Sequence, residues 1–154
     1  MRRLIVFALA AALAVSGALA GLAFAASSPT KPATVKTRHV SLGTIIVDGK
    51  SRTLYLFEKD KHGKSACSGA CAQNWPPLLT KGKPKASGSA KASKLGTTKR
   101  SDGTTQVTYG GHPVYTFVAD KNKPGSTKGE GLDAFGAEWY VVGTNGKKIE
   151  KEGS

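Results

Sequence analysis

The stretch Tyr55-Leu56-Phe57-Glu58-Lys59-Asp60 decides the fold of this chain, because its pattern returns sixty residues later as Tyr115-Thr116-Phe117-Val118-Ala119-Asp120. An apolar residue precedes each tyrosine, and a tryptophan follows each copy, Trp75 in the first and Trp139 in the second. The shared pattern Tyr-x-Phe-x-x-Asp indicates an internal duplication. In a chain of 154 residues, the duplication predicts one modest domain built from two repeats.

The first 25 residues have the pattern of a secretory signal peptide. Arg2 and Arg3 precede an apolar run at 4–20, and Ala23-Phe24-Ala25 has the small residues of a cleavage site. The alternative is that the apolar run remains as an uncleaved anchor. The signal peptide predicts an exported, extracytoplasmic protein of the cell envelope. Because no cysteine stands at the cleavage site, we expect that it is not a lipoprotein.

The mature chain is strongly basic. Without Arg2 and Arg3, 21 of the 23 basic residues remain against 10 acidic ones, which is a formal charge of +11. Such a charge favours anionic partners, among them envelope polymers, membrane surfaces, acidic polysaccharides and nucleic acids. We expect an envelope polymer or a membrane surface and no specific nucleic acid, and the sequence leaves any protein partner unknown. The alternative is that much of the charge only keeps the chain soluble.

Local composition divides the mature chain into two repeats joined by polar segments. Residues 26–38 are small, polar and basic, and they predict a flexible linker. Residues 80–94 contain no large apolar side chain, and they predict a mobile loop. Repeat 1 is therefore assigned to residues 39–79 and repeat 2 to residues 95–149, with a tail at 150–154.

Runs of β-branched and aromatic residues between turn residues predict the strands. In repeat 1, strands at 44–47 and 52–57 form a hairpin, and the second of them carries large apolar groups on both faces. In repeat 2, strands at 104–109 and 113–118 form the corresponding hairpin. The prediction is an all-β fold in which two hairpin-containing repeats pair about a pseudo-twofold axis, as a small sandwich or a partly closed barrel.

The remaining segments are predicted from turn residues and prolines. At most one helical turn fits between Cys67 and Asn74, because Pro76 and Pro77 follow Trp75. Residues 120–137 are predicted to form a glycine-rich loop. A last strand is predicted at 138–142, and the Asn145-Gly146 pair after it favours a hairpin turn.

The chain resembles a bacterial family of secreted or lipoprotein repeats that carries a Tyr-x-[aromatic]-x-x-Asp motif. The resemblance extends from about residue 40 to residue 143. It implies an exported envelope protein and implies no activity, because none is established for the family. The chain differs from many members in lacking the lipidated cysteine. The matching residues are 52–57 with Asp60, Cys67, Gly69, Cys71 and Ala72 with 75–78, 100–103 with 106–109, and Tyr115, Phe117 and Asp120 with Trp139.

Cys67 and Cys71 predict a disulfide, because paired cysteines in an exported protein are normally oxidised. A turn brings their Cα atoms within the roughly 4.4–6.8 Å that the bond requires. So small a ring stabilises by only about 2 kcal/mol, so it would hold the Trp75 loop locally. Two alternatives stay open: a redox-active pair, although the spacing is not C-x-x-C, and a soft-metal site that includes His62.

The residues of the repeated motif are the other candidate site residues. A tyrosine and a phenylalanine two positions apart share a strand face, which predicts core packing with the phenol at the rim. The alternative is a stacking surface for sugars or bases. The aspartates follow strand ends, where an Asx-type turn cap is expected, and neither loop supplies enough oxygen ligands for calcium. The set is Tyr55, Phe57, Asp60, Trp75, Tyr115, Phe117, Asp120 and Trp139.

The sequence contains no catalytic motif. Gly63-Lys64-Ser65 resembles the end of a phosphate-binding loop, but Glu58 stands where that loop needs its first glycine. We therefore expect a non-enzymatic binding or structural module without a cofactor. The alternative from another class is an exported redox or metal-handling protein that uses Cys67 and Cys71. An enzyme acting on envelope carbohydrate ranks third, because the sequence places no pair of acids.

Overall fold

The computed structural model describes residues 28–150. The predicted signal peptide and most of the tail lie outside this range. None of the helices between residues 28 and 150 is long and apolar enough to cross a membrane. In chain order the elements are β1 (Thr34–Val40), β2 (Gly43–Asp48), β3 (Tyr55–Phe57), α1 (Ala70–Asn74), β4 (Lys85–Ala86), a 3-10 turn (Ala92–Lys94), β5 (Leu95–Lys99), β6 (Thr105–Tyr109), β7 (His112–Pro113), a second 3-10 turn (Val118–Asp120), β8 (Leu132–Ala134) and β9 (Ala137–Val141).

The strands form three small sheets. Their orders are β2-β1-β4, β3-β9-β8 and β5-β6-β7. All pairs are antiparallel except β1 with β4, which is parallel. The predicted all-β class is confirmed, and across residues 28–150 the sheets do not close into a barrel. The one helical turn that was predicted before Pro76 is α1.

A pseudo-twofold axis passes between Tyr55 and Tyr115. The backbone N–H of Tyr55 donates to the carbonyl of Tyr115 at 2.9 Å, and the N–H of Tyr115 donates to the carbonyl of Tyr55 at 3.0 Å. The ribbon β1–β2 on one side corresponds to the ribbon β5–β6 on the other. The duplicated motif therefore lies at the centre of the fold.

The repeats exchange the segments that follow their tryptophans. Val142, three residues after Trp139, accepts a hydrogen bond from Ile46 N of repeat 1 at 2.9 Å. Leu78, three residues after Trp75, accepts the equivalent bond from Val107 N of repeat 2 at 2.8 Å. The segment after each tryptophan thus hydrogen-bonds to a strand of the other repeat. This exchange makes the two repeats one domain.

The core has two parts because the return segment of repeat 1 is covered on both faces, as predicted. Tyr55 and Phe57 point into a cluster that holds both tryptophans and the disulfide. Leu54 and Leu56 point into a second cluster on the opposite face. The 3.3 Å rise and the alternation of side chains along a strand explain this division.

The flexible linker predicted at 26–38 is wrong from Thr34 onward. Residues 34–40 form β1, which pairs along its length with β2, and Val35 is fully buried. The composition of the segment is polar, but one valine at an inward position and a complete backbone hydrogen-bonding partner order it. Strand β1 is also the main partner of β2, which bonds the return segment through Asp48 N to the Arg52 carbonyl at 2.9 Å and through the Ile46 carbonyl, which accepts from Leu54 N at 3.2 Å.

Two segments predicted as loops contain strands. Within 80–94, β4 pairs with β1, and the N–H of Ser87 donates to the carbonyl of Val35 at 2.9 Å. Within 120–137, β8 pairs with β9 in a hairpin that turns at Phe135-Gly136. Strand pairing here rests on backbone groups, and it needs no apolar pattern in the segment itself. Composition therefore could not reveal these strands.

Candidate functional site

The motif aromatics form one continuous stack across the repeats. Phe57, Trp139, Trp75 and Phe117 follow one another with ring centroids 4.0, 3.9 and 4.0 Å apart and planes within 15° of parallel. Each phenylalanine stacks on the tryptophan of the other repeat. Parallel aromatic rings in stacked contact contribute beyond the area they bury.

The motif tyrosines close the sides of this stack. The Tyr55 ring meets Trp75 edge-on at 5.3 Å, and the Tyr115 ring meets Trp139 edge-on at 5.1 Å. The side chains of Tyr55, Trp75, Tyr115 and Trp139 are at most 1% exposed. They form the centre of the core, and a ligand cannot stack on them in this structure.

Gly129 lies directly against the stack. A Cβ at this position would lie 2.6 Å from Cη2 of Trp75 and 2.8 Å from Cε1 of Tyr55. These rings are held on all sides, so they cannot move away cheaply. Sequence analysis missed Gly129, because nothing in a glycine-rich loop marks which glycine faces an aromatic ring.

We expect Gly129→Ala to lower the free energy of unfolding by about 2 kcal/mol, the middle of the range for overpacked cores. Urea unfolding followed by far-UV circular dichroism measures the change. Gly131→Ala is not a suitable control, because Gly131 has a positive φ of 69°. Ala119→Ser, an exposed position, is expected to leave the midpoint unchanged. An unchanged midpoint for Gly129→Ala would show that the contact is loose.

The motif tyrosines and aspartates join the repeats by reciprocal hydrogen bonds. The Tyr55 hydroxyl donates to Oδ2 of Asp120 at 2.7 Å, and the Tyr115 hydroxyl donates to Oδ2 of Asp60 at 2.8 Å. In both bonds the donor and the acceptor belong to different repeats. The motif therefore pairs with its copy, and each Tyr-x-Phe-x-x-Asp unit is incomplete alone.

The aspartates also hold their own loops, but over a longer span than an Asx-type turn. Oδ1 of Asp60 accepts from the N–H of Ala66 at 2.7 Å. Oδ1 of Asp120 accepts from the Ser126 hydroxyl at 2.7 Å and from the N–H of Lys128 at 3.0 Å. The expected turn cap two residues onward is wrong, because the carboxylates bond residues six to eight positions away.

Burial changes the protonation of these groups. It raises the pKa of both Tyr55 and Tyr115 well above the usual range, and the neighbouring aspartates add to the effect. Burial also raises the pKa of Asp60, against the lowering effect of the bonds from Ala66 and Tyr115. The phenols consequently remain protonated donors at ordinary pH, as a structural hydrogen bond requires.

Cys67 and Cys71 form a disulfide with a Cα–Cα distance of 5.2 Å. Both residues are buried, and the N–H of Trp75 donates to the Cys71 carbonyl at 2.7 Å. The bond thus lies beside the stack and holds the turn that leads to Trp75. A structural and a redox role are both compatible with it, and the structure favours neither.

The predicted alternative metal ligand His62 lies on an exposed turn. In the part of the chain that the structure describes, no three His, Cys, Asp or Glu residues lie close enough together to hold a metal ion. The sulfurs of Cys67 and Cys71 are bonded to each other. The structure therefore does not assemble the alternative metal site.

A buried arginine that sequence analysis did not single out connects the disulfide loop to repeat 2. Arg100 is 8% exposed and donates to the Cys67 carbonyl at 2.7 Å. It also donates to Oγ of Ser65 at 2.9 Å and to Oε1 of Gln106 at 2.7 Å. The polar Gln106 at an inward position of β6 was the one available signal, because a buried amide needs a partner.

A basic surface forms where the loop after Asp120 lies on the first ribbon. The N–H of Gly125 donates to the Ser51 carbonyl at 3.2 Å, and an added Cβ on Gly125 would meet Nε of Arg38 at 2.7 Å. The loop therefore brings its lysines to the turn of repeat 1. We define the basic surface as the exposed residues Arg38, Lys50, Lys121 and Lys123.

A cleft of about 440 Å³ lies between the segment at residues 56–61 and residues His112, Lys147 and Lys148. Leu56 and Phe57 border it, although their side chains are at most 3% exposed, and Lys61, His112, Lys147 and Lys148 surround it. Its two acids already have partners, since Lys148 pairs with Glu58 at 2.8 Å and Asp60 accepts from Tyr115. Burial lowers the pKa of His112, so this imidazole tends to be neutral.

Comparison with known proteins identifies the family. A family model described as a secreted repeat of unknown function matches residues 36–79 and 96–143, together more than half of the chain. No curated protein and no solved structure matches the chain. The matched ranges are the two halves that meet at the Tyr55–Tyr115 axis, and the resemblance seen in the sequence is confirmed. The chain therefore belongs to the family of secreted repeats of unknown function and is an extracytoplasmic protein that carries two copies of the repeat.

Proposed function

We propose that this protein is a non-enzymatic module of the cell envelope that holds an anionic polymer or surface by electrostatic contact. It remains in the envelope by charge rather than by a lipid anchor. Both cysteines are joined to each other, which supports the latter point because neither sulfur is free to carry a lipid. The basic surface is the part of the molecule that makes the contact.

The observation that carries the proposal is the unequal use of the two signs of charge. Asp60 and Asp120 accept hydrogen bonds inside the fold, and Asp48 pairs with Arg52 at 2.6 Å. Among the lysines of residues 28–150, by contrast, Lys148 alone forms an ion pair. Several of the acidic side chains are therefore paired within the fold, whereas most of the basic side chains remain unpaired on the surface, where they attract polyanions.

The basic surface concentrates this charge on two adjoining segments. Arg38, Lys50, Lys121 and Lys123 are exposed, and Asn122 between the two loop lysines lies 3.5 Å from the Arg52 guanidinium. A linear polyanion can contact several of these cations at once. Such contacts weaken with ionic strength, because salt screens exposed charges over about 8 Å at physiological concentration.

The test is the affinity of the mature chain for immobilised long-chain polyphosphate as the concentration of NaCl is raised. The triple substitution Lys50→Gln, Lys121→Gln and Lys123→Gln is expected to weaken binding about 100-fold at low salt. This figure follows from about 1 kcal/mol for each basic residue near an anionic surface. The salt dependence of the remaining affinity is expected to be shallower.

The matched control is the triple substitution Lys81→Gln, Lys83→Gln and Lys85→Gln. It removes the same charge from exposed positions outside the basic surface. We expect it to weaken binding by less than about tenfold, the share of long-range attraction alone. Equal losses for the two triple variants would contradict the assignment of the basic surface. Absence of binding by the unmodified chain at low salt would refute the function.

A further inference from the structure

The side chains of the mature chain that lose an electron most readily lie together at the centre of the fold. The chain contains two tryptophans, Trp75 and Trp139, which stack on each other with ring centroids 3.9 Å apart. Its two cysteines are joined in a disulfide, and its single methionine is Met1, at the start of the predicted signal peptide. Thiols and thioethers are common first targets of oxidation, and the mature chain therefore has none to compete with the indoles.

The two motif tyrosines extend this indole pair into a chain of four rings. The Tyr55 ring meets Trp75 edge-on at 5.3 Å, and the Tyr115 ring meets Trp139 edge-on at 5.1 Å. The order is therefore Tyr55, Trp75, Trp139 and Tyr115, with each ring in contact with the next. We call these residues the four-ring chain. Rings in direct contact exchange an electron readily, because their π orbitals overlap.

Each end of the four-ring chain has a proton acceptor. The Tyr55 hydroxyl donates to Oδ2 of Asp120 at 2.7 Å, and the Tyr115 hydroxyl donates to Oδ2 of Asp60 at 2.8 Å. An oxidised phenol is a strong acid, so a tyrosine loses an electron most easily where a base takes its proton at once. A carboxylate at hydrogen-bond distance has the geometry that this proton transfer requires. The core thus contains a path for an electron and an acceptor for the proton.

The two ends differ as proton acceptors. Within residues 28–150, the side chain of Asp120 accepts three hydrogen bonds and that of Asp60 accepts two. Hydrogen bonds stabilise the ionised carboxylate, so the carboxylate with fewer of them is the stronger base. Burial also raises the pKa of Asp60. An oxidised ring is therefore held better at Tyr115 than at Tyr55.

The aromatic stack approaches the surface beside Trp75. Phe117 stacks on Trp75 with ring centroids 4.0 Å apart, and it is half-buried, whereas the indole is 1% exposed. Val118, the next residue, is 47% exposed. An oxidant that cannot enter the core can therefore take an electron from Trp75 across the single ring of Phe117.

We propose that the four-ring chain accepts an oxidising equivalent from a small oxygen-centred radical outside the cytoplasm and holds it on Tyr115. The radical takes one electron from Trp75 and is reduced. One electron then moves from Trp139 to Trp75 and one from Tyr115 to Trp139, while the phenol proton moves to Oδ2 of Asp60. A small one-electron reductant of the ascorbate class restores Tyr115, and the proton returns from Asp60. The inference does not depend on the proposed binding of polyanions.

The experiment is laser flash oxidation of the mature chain with a ruthenium polypyridyl sensitiser and peroxodisulfate. Transient absorption and electron paramagnetic resonance distinguish an indole radical from a tyrosyl radical. We expect a tyrosyl radical to replace the indole radical at a rate that does not depend on protein concentration. Asp60→Asn keeps the size of the side chain and removes the base. It is expected to slow this step about 100-fold, the lower end of the range for a positioned proton acceptor.

Tyr140→Phe is the matched control. The Tyr140 hydroxyl also bonds a carboxylate, that of Glu138 at 2.8 Å, but its ring lies against Lys148 and not against an indole. This variant is expected to leave the rate unchanged. Tyr115→Phe is expected to move the radical to Tyr55, and the double variant Tyr55→Phe with Tyr115→Phe is expected to prolong the indole radical at least tenfold. Far-UV circular dichroism checks that each variant is folded.

Three results would overturn the proposal. The first is an indole radical in the unmodified chain that does not pass to a tyrosine. The second is an unchanged rate in folded Asp60→Asn, which would show that the carboxylate takes no proton. The third is loss of the tyrosyl signal in Tyr140→Phe, which would place the radical on the surface and outside the four-ring chain.

Discussion

Trp139→Ala is expected to lower the free energy of unfolding by about 3–5 kcal/mol, the range for removing a large aromatic side chain from a core. Trp139 is fully buried and lies between Phe57 at 4.0 Å and Trp75 at 3.9 Å. Its indole N–H donates to the carbonyl of Ala134 at 3.0 Å. The loss is a large share of the roughly 5–15 kcal/mol that stabilises a typical domain. Urea unfolding followed by far-UV circular dichroism measures it.

Two further variants make this result specific. Trp139→Phe keeps an aromatic ring in the stack and is expected to lose less than half as much. Tyr140→Ala changes the neighbouring, partly exposed residue and is expected to cost about 1 kcal/mol or less. Trp75→Ala is expected to resemble Trp139→Ala, and the double variant to fall short of the sum, because the rings are in contact. A loss below about 1 kcal/mol for Trp139→Ala would refute the stack as the centre of stability.

Asp120→Ala is expected to cost about 3 kcal/mol, because it leaves buried donors without an acceptor. The Asp120 side chain accepts from the Tyr55 hydroxyl, from the Ser126 hydroxyl and from the N–H of Lys128. Asp120 itself is 5% exposed, so water cannot easily replace the carboxylate. The midpoint of urea unfolding at constant slope measures the change.

The bond between the repeats is isolated by a double-mutant cycle. Tyr55→Phe removes the hydroxyl alone, and we expect a coupling energy of about 1 kcal/mol or more between Tyr55→Phe and Asp120→Ala. Tyr115→Phe combined with Asp120→Ala is the control pair, since the Tyr115 hydroxyl bonds Asp60 and not Asp120. Additivity of the first pair would show that the hydrogen bond between repeats contributes nothing to stability.

Both predictions rest on the exchange between the repeats. Phe57 stacks on the tryptophan of repeat 2, and Phe117 stacks on the tryptophan of repeat 1. Tyr55 and Tyr115 bond the aspartates of the opposite copies. A single copy would therefore expose half of the stack and leave its phenol and carboxylate unpaired. This explains why the two copies of the motif occur together in one domain.

The predictions from sequence that were wrong concerned polar segments, which were assigned to loops and are ordered. Residues 34–38 and β4 in residues 80–94 contain little apolar surface, and hydropathy therefore assigned both to loops. They are ordered by backbone hydrogen bonds to each other and by the single inward side chain of Val35. Such pairing depends on which segment is nearby, and composition contains no record of it.

The candidate site could be predicted from the sequence only in part. The spacing of Cys67 and Cys71 was sufficient to predict the disulfide, because a bond across four residues is a local property. The roles of Arg100 and Gly129 depend on contacts with distant segments. No local sequence pattern predicts a buried guanidinium or a glycine packed against an aromatic ring. The cleft and the basic surface likewise arise where separate turns meet.

The amino-acid sequence was sufficient to establish the duplication, the all-β class and the family, because these depend on motif spacing and on local strand and turn chemistry. Only the tertiary structure showed that the Tyr55 hydroxyl donates to Asp120 and that Trp75 stacks on Phe117. These two contacts join residues 65 and 42 positions apart, and the local sequence pattern is the same whether each copy pairs with itself or with the other. In the observed arrangement Phe57, Trp75 and Trp139 are buried in one core, and the partly buried Phe117 packs against it.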